Sequence, residues 1–290
     1  MMSRPFSFTL GGNVIRNLMG SFSLSDTVGK QARKSLSGKT AFITGATGNL
    51  GSEVAKELAR RGARLILHYN SRVRKALELE LALKMLGTEV TMLQSDFTQP
   101  SDLKELIDTV CSQTDHIDYL IHAAGVCRLT VGHSEIAPEE LNRIHRINQL
   151  APIEIMLGLE EKLSSGSVVL YVGSPVEDAY FDGTLLYGES KRGLHHFAAR
   201  YAESLQSRGT SSVYYIPGIM RESIPHIFYG KYSTEEMSLL GQPCLLEPGN
   251  VARNVVSTLL SRPLGDVWDQ QDGPLLVRRD GYTRQPIAEC

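Results

Sequence analysis

Three residues at fixed intervals suggest a proton-transfer site. Tyr187 and Lys191 lie four apart at the start of a predicted helix, Tyr187-Gly188-Glu189-Ser190-Lys191, so they share one face a single turn apart. An ammonium beside a phenol favours the phenolate and lowers a pKa that is about 10 in water. Such a tyrosine can pass a proton to or from an alcohol or carbonyl oxygen near neutral pH. Ser174 precedes Tyr187 by thirteen residues and follows a predicted strand through Tyr171-Val172-Gly173. Its hydroxyl can hold the substrate oxygen beside the tyrosine. A Tyr-x-x-x-Lys pair alone is common on ordinary helix surfaces. The argument rests on all three residues, each at the carboxyl edge of the element expected to carry it.

Those elements follow from the hydrophobic pattern. Short β-rich runs are expected at Lys39–Thr44, Arg64–Tyr69, Glu89–Gln94, 118–122, 167–172 and 212–216, with a last apolar run at 274–278. Helices are expected at Asn49–Arg61, where Leu50, Val54 and Leu58 recur on one face, and at 72–86, 101–113, 138–163, 187–207 and 249–261. Alternating helices and unbroken apolar strands imply an α/β fold: a Rossmann-type, doubly wound parallel sheet of about seven strands with helices on both faces. Nothing divides residues 38–290, which read as a single domain; 219–246, with little regular pattern, is the expected substrate lid. Residues 1–37 form an N-terminal extension with five basic residues (Arg4, Arg16, Lys30, Arg33, Lys34), one acid (Asp26) and seven serines. That composition can belong to an organelle transit segment, mitochondrial or plastid, but the favoured reading is a plain extension of a cytoplasmic protein.

In such a sheet a ligand lies outside the carboxyl ends of the strands, where strand order reverses. The first strand ends in Thr44-Gly45-Ala46-Thr47-Gly48-Asn49-Leu50-Gly51, and a helix follows at once. Glycines let the backbone approach a pyrophosphate, and the helix N-terminus offers free N–H groups. The spacing is Gly-x-x-Gly-x-x-Gly rather than the common G-x-G-x-x-G, so position in the fold carries the reading. Between Glu57 and Glu78 there is no acid to hold a ribose 2′-OH; Tyr69 stands in its place, followed by Asn70, Ser71 and Arg72. A cation there suits a 2′-phosphate. NADP(H) is therefore the expected cofactor, with NAD(H) still compatible. Asp96 and Phe97 are placed to meet the adenine, and the small residues Ala123, Ala124 and Gly125 let the cofactor lie against the fourth strand.

These motifs together resemble the short-chain dehydrogenase/reductase family over about residues 38–280. The resemblance implies that Tyr187 is the acid/base and that Ser174 orients the substrate oxygen. It also implies that Lys191 lowers the tyrosine pKa and holds the nicotinamide ribose. By the same resemblance Asn148, in Arg146-Ile147-Asn148-Gln149, holds a proton-relay water, and Pro217-Gly218 flanks the nicotinamide. A homodimer or homotetramer through the helices around 138–163 and 187–207 is implied as well. Three departures stand out. Asn49 replaces a glycine, His122-Ala123 replaces paired asparagines, and Glu222 stands where a threonine is usual.

The remaining composition excludes more than it adds. A net charge of −2 from 30 basic and 32 acidic residues gives no reason to expect nucleic acid as a partner. Cys111, Cys127, Cys244 and Cys290 are scattered without metal-ligand spacing, and no apolar run is long enough to span a bilayer. Arg221, His226, Tyr229 and Tyr232 in the lid read as variable surface. Glu177 and Asp178 are expected to be solvated or at most on the rim. Adjacent His195 and His196 point apart, and Tyr214 and Tyr215 fit strand packing. The expected activity is hydride transfer between NADP(H) and a small or mid-sized carbonyl or alcohol. Two alternatives stay open: a catalytically silent cofactor-binding protein, and nucleotide-sugar epimerase or dehydratase chemistry. The 72 residues after Gly218 are few for the latter.

Overall fold

Val168 to Val172 shows in miniature how the sheet is built. Val168 and Leu170 face one apolar cluster while Val169 and Tyr171 face the other. A strand buried on both faces must be apolar at every position, and this one is. The computed structural model describes residues 35–127, 137–177, 184–218, 220–221, 246–261, 268–271, 275–278 and 281–284. The N-terminal arm to residue 34, most of the expected lid, Asp178, Glu222, Cys244 and Cys290 lie outside those residues.

The elements run β1 (Thr40–Thr44), α1 (Asn49–Ala59), β2 (Arg64–Tyr69), α2 (Val73–Met85), β3 (Val90–Gln94), α3 (Pro100–Gln113) and β4 (Tyr119–His122). They continue with α4 (Pro138–His145), α5 (Ala151–Gly158), β5 (Val168–Val172), α6 (Leu185–Ser207), β6 (Ser211–Ile216) and α7 (Pro248–Ser261). Three short strands follow: β7 (Trp268–Gln271), β8 (Leu275–Arg278) and β9 (Gly281–Arg284). Ser35–Cys290 forms one compact unit, and Leu36 is already buried, its N–H donating to the Arg61 carbonyl.

Strand order is β3-β2-β1-β4-β5-β6-β7-β8-β9. Every pairing from β3 to β7 is parallel, whereas β8 and β9 return antiparallel. Six of the expected strands are β1 to β6; the seventh expected, the apolar run at 274–278, is instead the antiparallel β8, and the parallel neighbour of β6 is the unexpected β7. The chain reverses direction across the sheet between β1 and β4, which opens the cleft at their carboxyl ends. Helices α1, α2 and α7 cover one face through Leu50, Val54, Leu58, Leu79, Leu83, Val251 and Val255. On the other face α3, α5 and α6 pack through Leu103, Leu106, Ile155, Met156, Leu194 and Leu205.

The span expected as one helix at 138–163 is interrupted. Arg146–Leu150 forms a π turn in which Ala151 N–H reaches the Arg146 carbonyl, five residues back, and a short 3-10 turn (Glu160–Lys162) follows α5. Pro152 gives the physical reason: it has no N–H for the carbonyl four residues earlier, that of Asn148. Such bulges often mark functional positions. At the ends of the segment expected as the lid, Met220 bridges Leu246 and Arg221 pairs with Glu247 at 2.7 Å.

Candidate active site

Helix α6 turns its catalytic candidates inward because they share its apolar stripe. Tyr187, Lys191, Leu194, Ala198, Ala202 and Leu205 are all buried at three- and four-residue spacing. Leu194, Ala198 and Leu205 hold the helix against the sheet, so the same face delivers phenol and ammonium to the sheet edge. Lys191 Nζ lies 5.9 Å from the Tyr187 ring centroid and donates to the Val172 carbonyl at 2.8 Å. Burial pushes the lysine down to about 8, opposed by the negative charge of Glu177. Ser174 follows β5, is 2% exposed, and its Oγ has no hydrogen-bond partner among the described residues. A buried hydroxyl left unpaired facing a cleft is a group kept for a ligand.

Asn148 sits in the π turn, fully buried. Its Oδ1 accepts from Val126 N–H at 2.8 Å, and its Nδ2 donates to the Val126 carbonyl at 2.7 Å and to Ser190 Oγ at 3.0 Å. The side-chain amide is thus spent clamping the chain after β4 to α6. Pro152, four residues on, cannot donate to the Asn148 main-chain carbonyl. Ser190, not singled out in the sequence, completes the clamp by donating to the Tyr187 carbonyl at 2.7 Å. A Cβ on Gly125 would sit 3.6 Å from both Asn148 Oδ1 and Lys191 Nζ, so this glycine keeps the space between them open.

A cleft of about 540 Å³ joins Ser174, Tyr187 and Lys191 to the carboxyl ends of β1, β2 and β4, and Asn148 is not among its lining residues. Gly45, Thr47, Gly48, Asn49, Leu50 and Gly51 line it with Asn70, Ser71, Arg72, Phe97, Ala123, Ala124, Gly125, Pro217 and Gly218, and Ser174, Tyr187 and Lys191 close its far end. Tyr69 and Asp96 are not among the lining residues. Tyr69 is the last residue of β2, and Asp96 Oδ1 is used locally, accepting from Thr98 N–H and Oγ1. His68, Lys75 and Ser95 line the cleft in their stead. Lys75 follows Arg72 by three on a helix start, a second cation that the spacing could have revealed.

The glycine loop fits a pyrophosphate. Gly45 adopts φ +68, and a Cβ there would fall 2.6 Å from Ala124 Cα, so no other residue lets β1 and β4 approach this way. Helix α1 has neither a side-chain cap nor an acid in its first turn, which leaves its N–H groups and positive dipole end to an anion. His68 braces the loop from below. Its Nδ1 accepts from Gly45 N–H at 3.2 Å, its Nε2 lies 3.0 Å from the Ser95 carbonyl, and its ring stacks on Phe97 at 4.1 Å. Burial holds it neutral, with its pKa lowered to about 4. Arg72 reaches over the loop to the Thr47 carbonyl at 3.4 Å. His122 is also buried and driven down to about 3, its ring stacked on Tyr171 at 5.0 Å.

Glu177 departs from the sequence expectation. It is 2% exposed rather than solvated, and sits behind Ser174. His195 stacks on Tyr214. Among the described residues no cluster of metal-ligating side chains exists, and no helix is long and apolar enough to cross a membrane.

Comparisons with known proteins agree with this geometry. The family model for short chain dehydrogenases matches residues 39–225. Tetrahydroxynaphthalene reductase PfmaG of Pestalotiopsis fici is 27% identical over 179 residues, 61% of this chain and 64% of that protein. Hydroxynaphthalene reductase arp2 of Aspergillus fumigatus is 26% identical over 174 residues, 60% of this chain and 63% of that protein. The chain therefore spans slightly less than two thirds of the length of these curated relatives. The crystal structure of angucycline C-6 ketoreductase LanV with bound NADP superposes with a TM-score of 0.71 at 25% identity, covering 82% of this chain and 96% of that one. A blue fluorescent protein from a metagenomic library, in complex with NADPH, gives 0.74 at 24% identity over 82% and 98% of the two chains, a likeness of fold. With a matching model over more than half its length and a cleft of this form, the chain belongs to the short-chain dehydrogenase family.

Proposed function

We propose that the protein is an NADP(H)-dependent carbonyl reductase, or the corresponding alcohol dehydrogenase, with Tyr187 as acid/base. The observation that carries the reading is the convergence of Ser174, Tyr187 and Lys191 on the end of a cleft floored by the glycine loop. The glycines and the uncapped α1 N-terminus would hold the pyrophosphate, His68 and Phe97 would wall the adenine, and Arg72 with Lys75 would meet the 2′-phosphate. NADP or NADPH bound to the fold neighbours supports that preference. The nicotinamide supplies or accepts the hydride.

The chain's own residues handle the proton and the geometry. Ser174 Oγ, unpaired and buried, donates to the substrate oxygen and fixes it beside the phenol. Tyr187 gives its proton to that oxygen as it gains charge, and Lys191 makes the transfer easier by stabilising the phenolate left behind. The Asn148 carbonyl would hold a water that resupplies the proton. Aromatic ketones are the first substrates to try, given the hydroxynaphthalene and angucycline reductases among the relatives. Leu150 and Leu157, exposed on the π turn and α5, favour self-association through that surface.

The experiment is titration with NADPH and NADH, then NADPH oxidation across a panel of cyclic and aromatic ketones. Arg72→Ala should weaken NADPH by about tenfold or more, the worth of a charge-assisted phosphate contact, and leave NADH nearly unchanged. Equal losses would remove Arg72 from the role. Tight NADPH binding with no oxidation of it on any ketone would favour the silent cofactor-binding reading.

A further inference from the structure

Glu177 belongs to the 3-10 turn Pro175–Glu177 that follows Ser174. Its Oε1 accepts two hydrogen bonds at 2.6 Å, from Ser174 N–H and from the Tyr214 hydroxyl. The Tyr214 oxygen also lies 3.0 Å from the Lys191 carbonyl; its single proton can serve only one acceptor at a time. Glu177 Oε2 makes no hydrogen bond and stands 3.3 Å from His195 Nδ1, whose ring stacks on Tyr214 at 4.1 Å. Arg192 donates to the Glu177 main-chain carbonyl. Gly173 keeps the space for this arrangement, since a Cβ there would fall 2.3 Å from Tyr214 Cε1 and 2.8 Å from Glu177 Oε1.

A carboxylate buried this deeply is costly unless a positive charge answers it. We propose that Glu177 is a positioning residue of the active site: it fixes the Ser174 backbone, shares the Tyr214 hydroxyl with the Lys191 carbonyl of α6 as alternative acceptors, and serves as the buried countercharge of Lys191. The proposal rests on the reading of Ser174, Tyr187 and Lys191 as the catalytic set.

Among the described residues, Glu177 is the negative group acting on Lys191. Around the lysine stand Tyr187 on its own helix, His122 from β4, held neutral by burial, and the uncharged Asn148 from the π turn. Around Glu177 stand His195, Arg192 and Lys191 from α6 and Tyr214 from β6. The charge of Glu177 opposes the fall in the lysine pKa that burial causes. Without it the ammonium would be lost at lower pH.

Glu177→Gln keeps an oxygen for Ser174 N–H and removes the charge. The direct test is NMR titration of protein carrying [ε-13C]lysine, with the Lys191 resonance assigned by Lys191→Met. In Glu177→Gln the Lys191 midpoint should fall by about one pH unit, the size typical of a nearby charge, while NADPH affinity stays within about twofold. On any ketone the wild type reduces, the alkaline limb of kcat/KM should move down by the same amount; Glu177→Ala should lose more kcat and melt earlier. An unshifted Lys191 midpoint in Glu177→Gln overturns the proposal whether or not a substrate has been found. A shifted midpoint in a protein that reduces no ketone supports the electrostatic role and counts against the catalytic reading alone.

Discussion

Lys191→Met removes a buried ammonium and should be easier to fold at neutral pH than the catalytic loss proposed for it suggests. In the folded chain the lysine titrates at about 8 against an ordinary 10.5, so the folded state binds fewer protons between those values. For a base with a lowered pKa the penalty is complete below the folded value and disappears as pH climbs past the unfolded one. At 1.36 kcal/mol per unit the penalty is about 3 kcal/mol at pH 7 and about 1 kcal/mol at pH 10. Against this, the Val172 carbonyl loses its donor, which costs about 1–3 kcal/mol at either pH. Urea denaturation of both proteins at pH 7 and pH 10 isolates the lysine together with the Tyr187 phenol it acts on, because groups remote from residue 191 titrate alike in each. The variant's stability relative to wild type should drop by about 2 kcal/mol between pH 7 and pH 10. A difference that is the same at both pH values would refute the claim that Lys191 is held as a strained, buried ammonium.

Gly45→Ala forces a side chain onto φ +68 and against Ala124, so it should lower the melting temperature by several degrees and abolish NADPH binding, both readable in one thermal-shift titration. His68→Phe keeps the stack on Phe97 but removes the acceptor for Gly45 N–H. NADPH affinity should then fall by about tenfold, as expected for one lost buried acceptor, with the far-ultraviolet circular dichroism spectrum unchanged. In the wild type His68 must stay neutral to accept that bond. With its folded pKa near 4, below the ordinary 6.5, the unfolded chain binds more protons between the two, and stability should decline as pH falls through that window. His68→Phe should flatten that part of the acid denaturation profile.

Much of this fold is legible because its strands are buried on both sides and so read as unbroken apolar runs. β1, β2, β4, β5 and β6 are buried over most of their length, β3 is half-buried at the sheet edge, and the expected ends differ from the observed ones by a residue or so. β7, Trp268-Asp269-Gln270-Gln271, and β9, Gly281-Tyr282-Thr283-Arg284, have no such run, and sheet pairing alone makes them strands. Pro152 could have announced the break in the helix at 138–163. Local spacing is also why Ser174, Tyr187 and Lys191 could be named from sequence, since strand, turn and helix register place them. Glu177 could not be read in the same way. Its burial depends on Tyr214, thirty-seven residues on and two elements away, and a polar loop looks solvated until that tyrosine is in place. Tyr69 and Asp96 stand outside the cleft lining for a related reason. Position after a strand indicates which residues are near the cleft, while the local turn decides which of them face it.

The central claim is that the Tyr187 phenol moves the proton that accompanies hydride transfer. The most direct measurement is Tyr187→Phe, assayed for NADPH binding by fluorescence and for NADPH oxidation on the best ketone found for the wild type. The phenyl ring keeps the packing and loses only the hydroxyl, so binding should remain within about twofold while turnover falls by 10² or more, the usual worth of a general acid. Turnover by the phenylalanine variant at the wild-type rate would contradict the account.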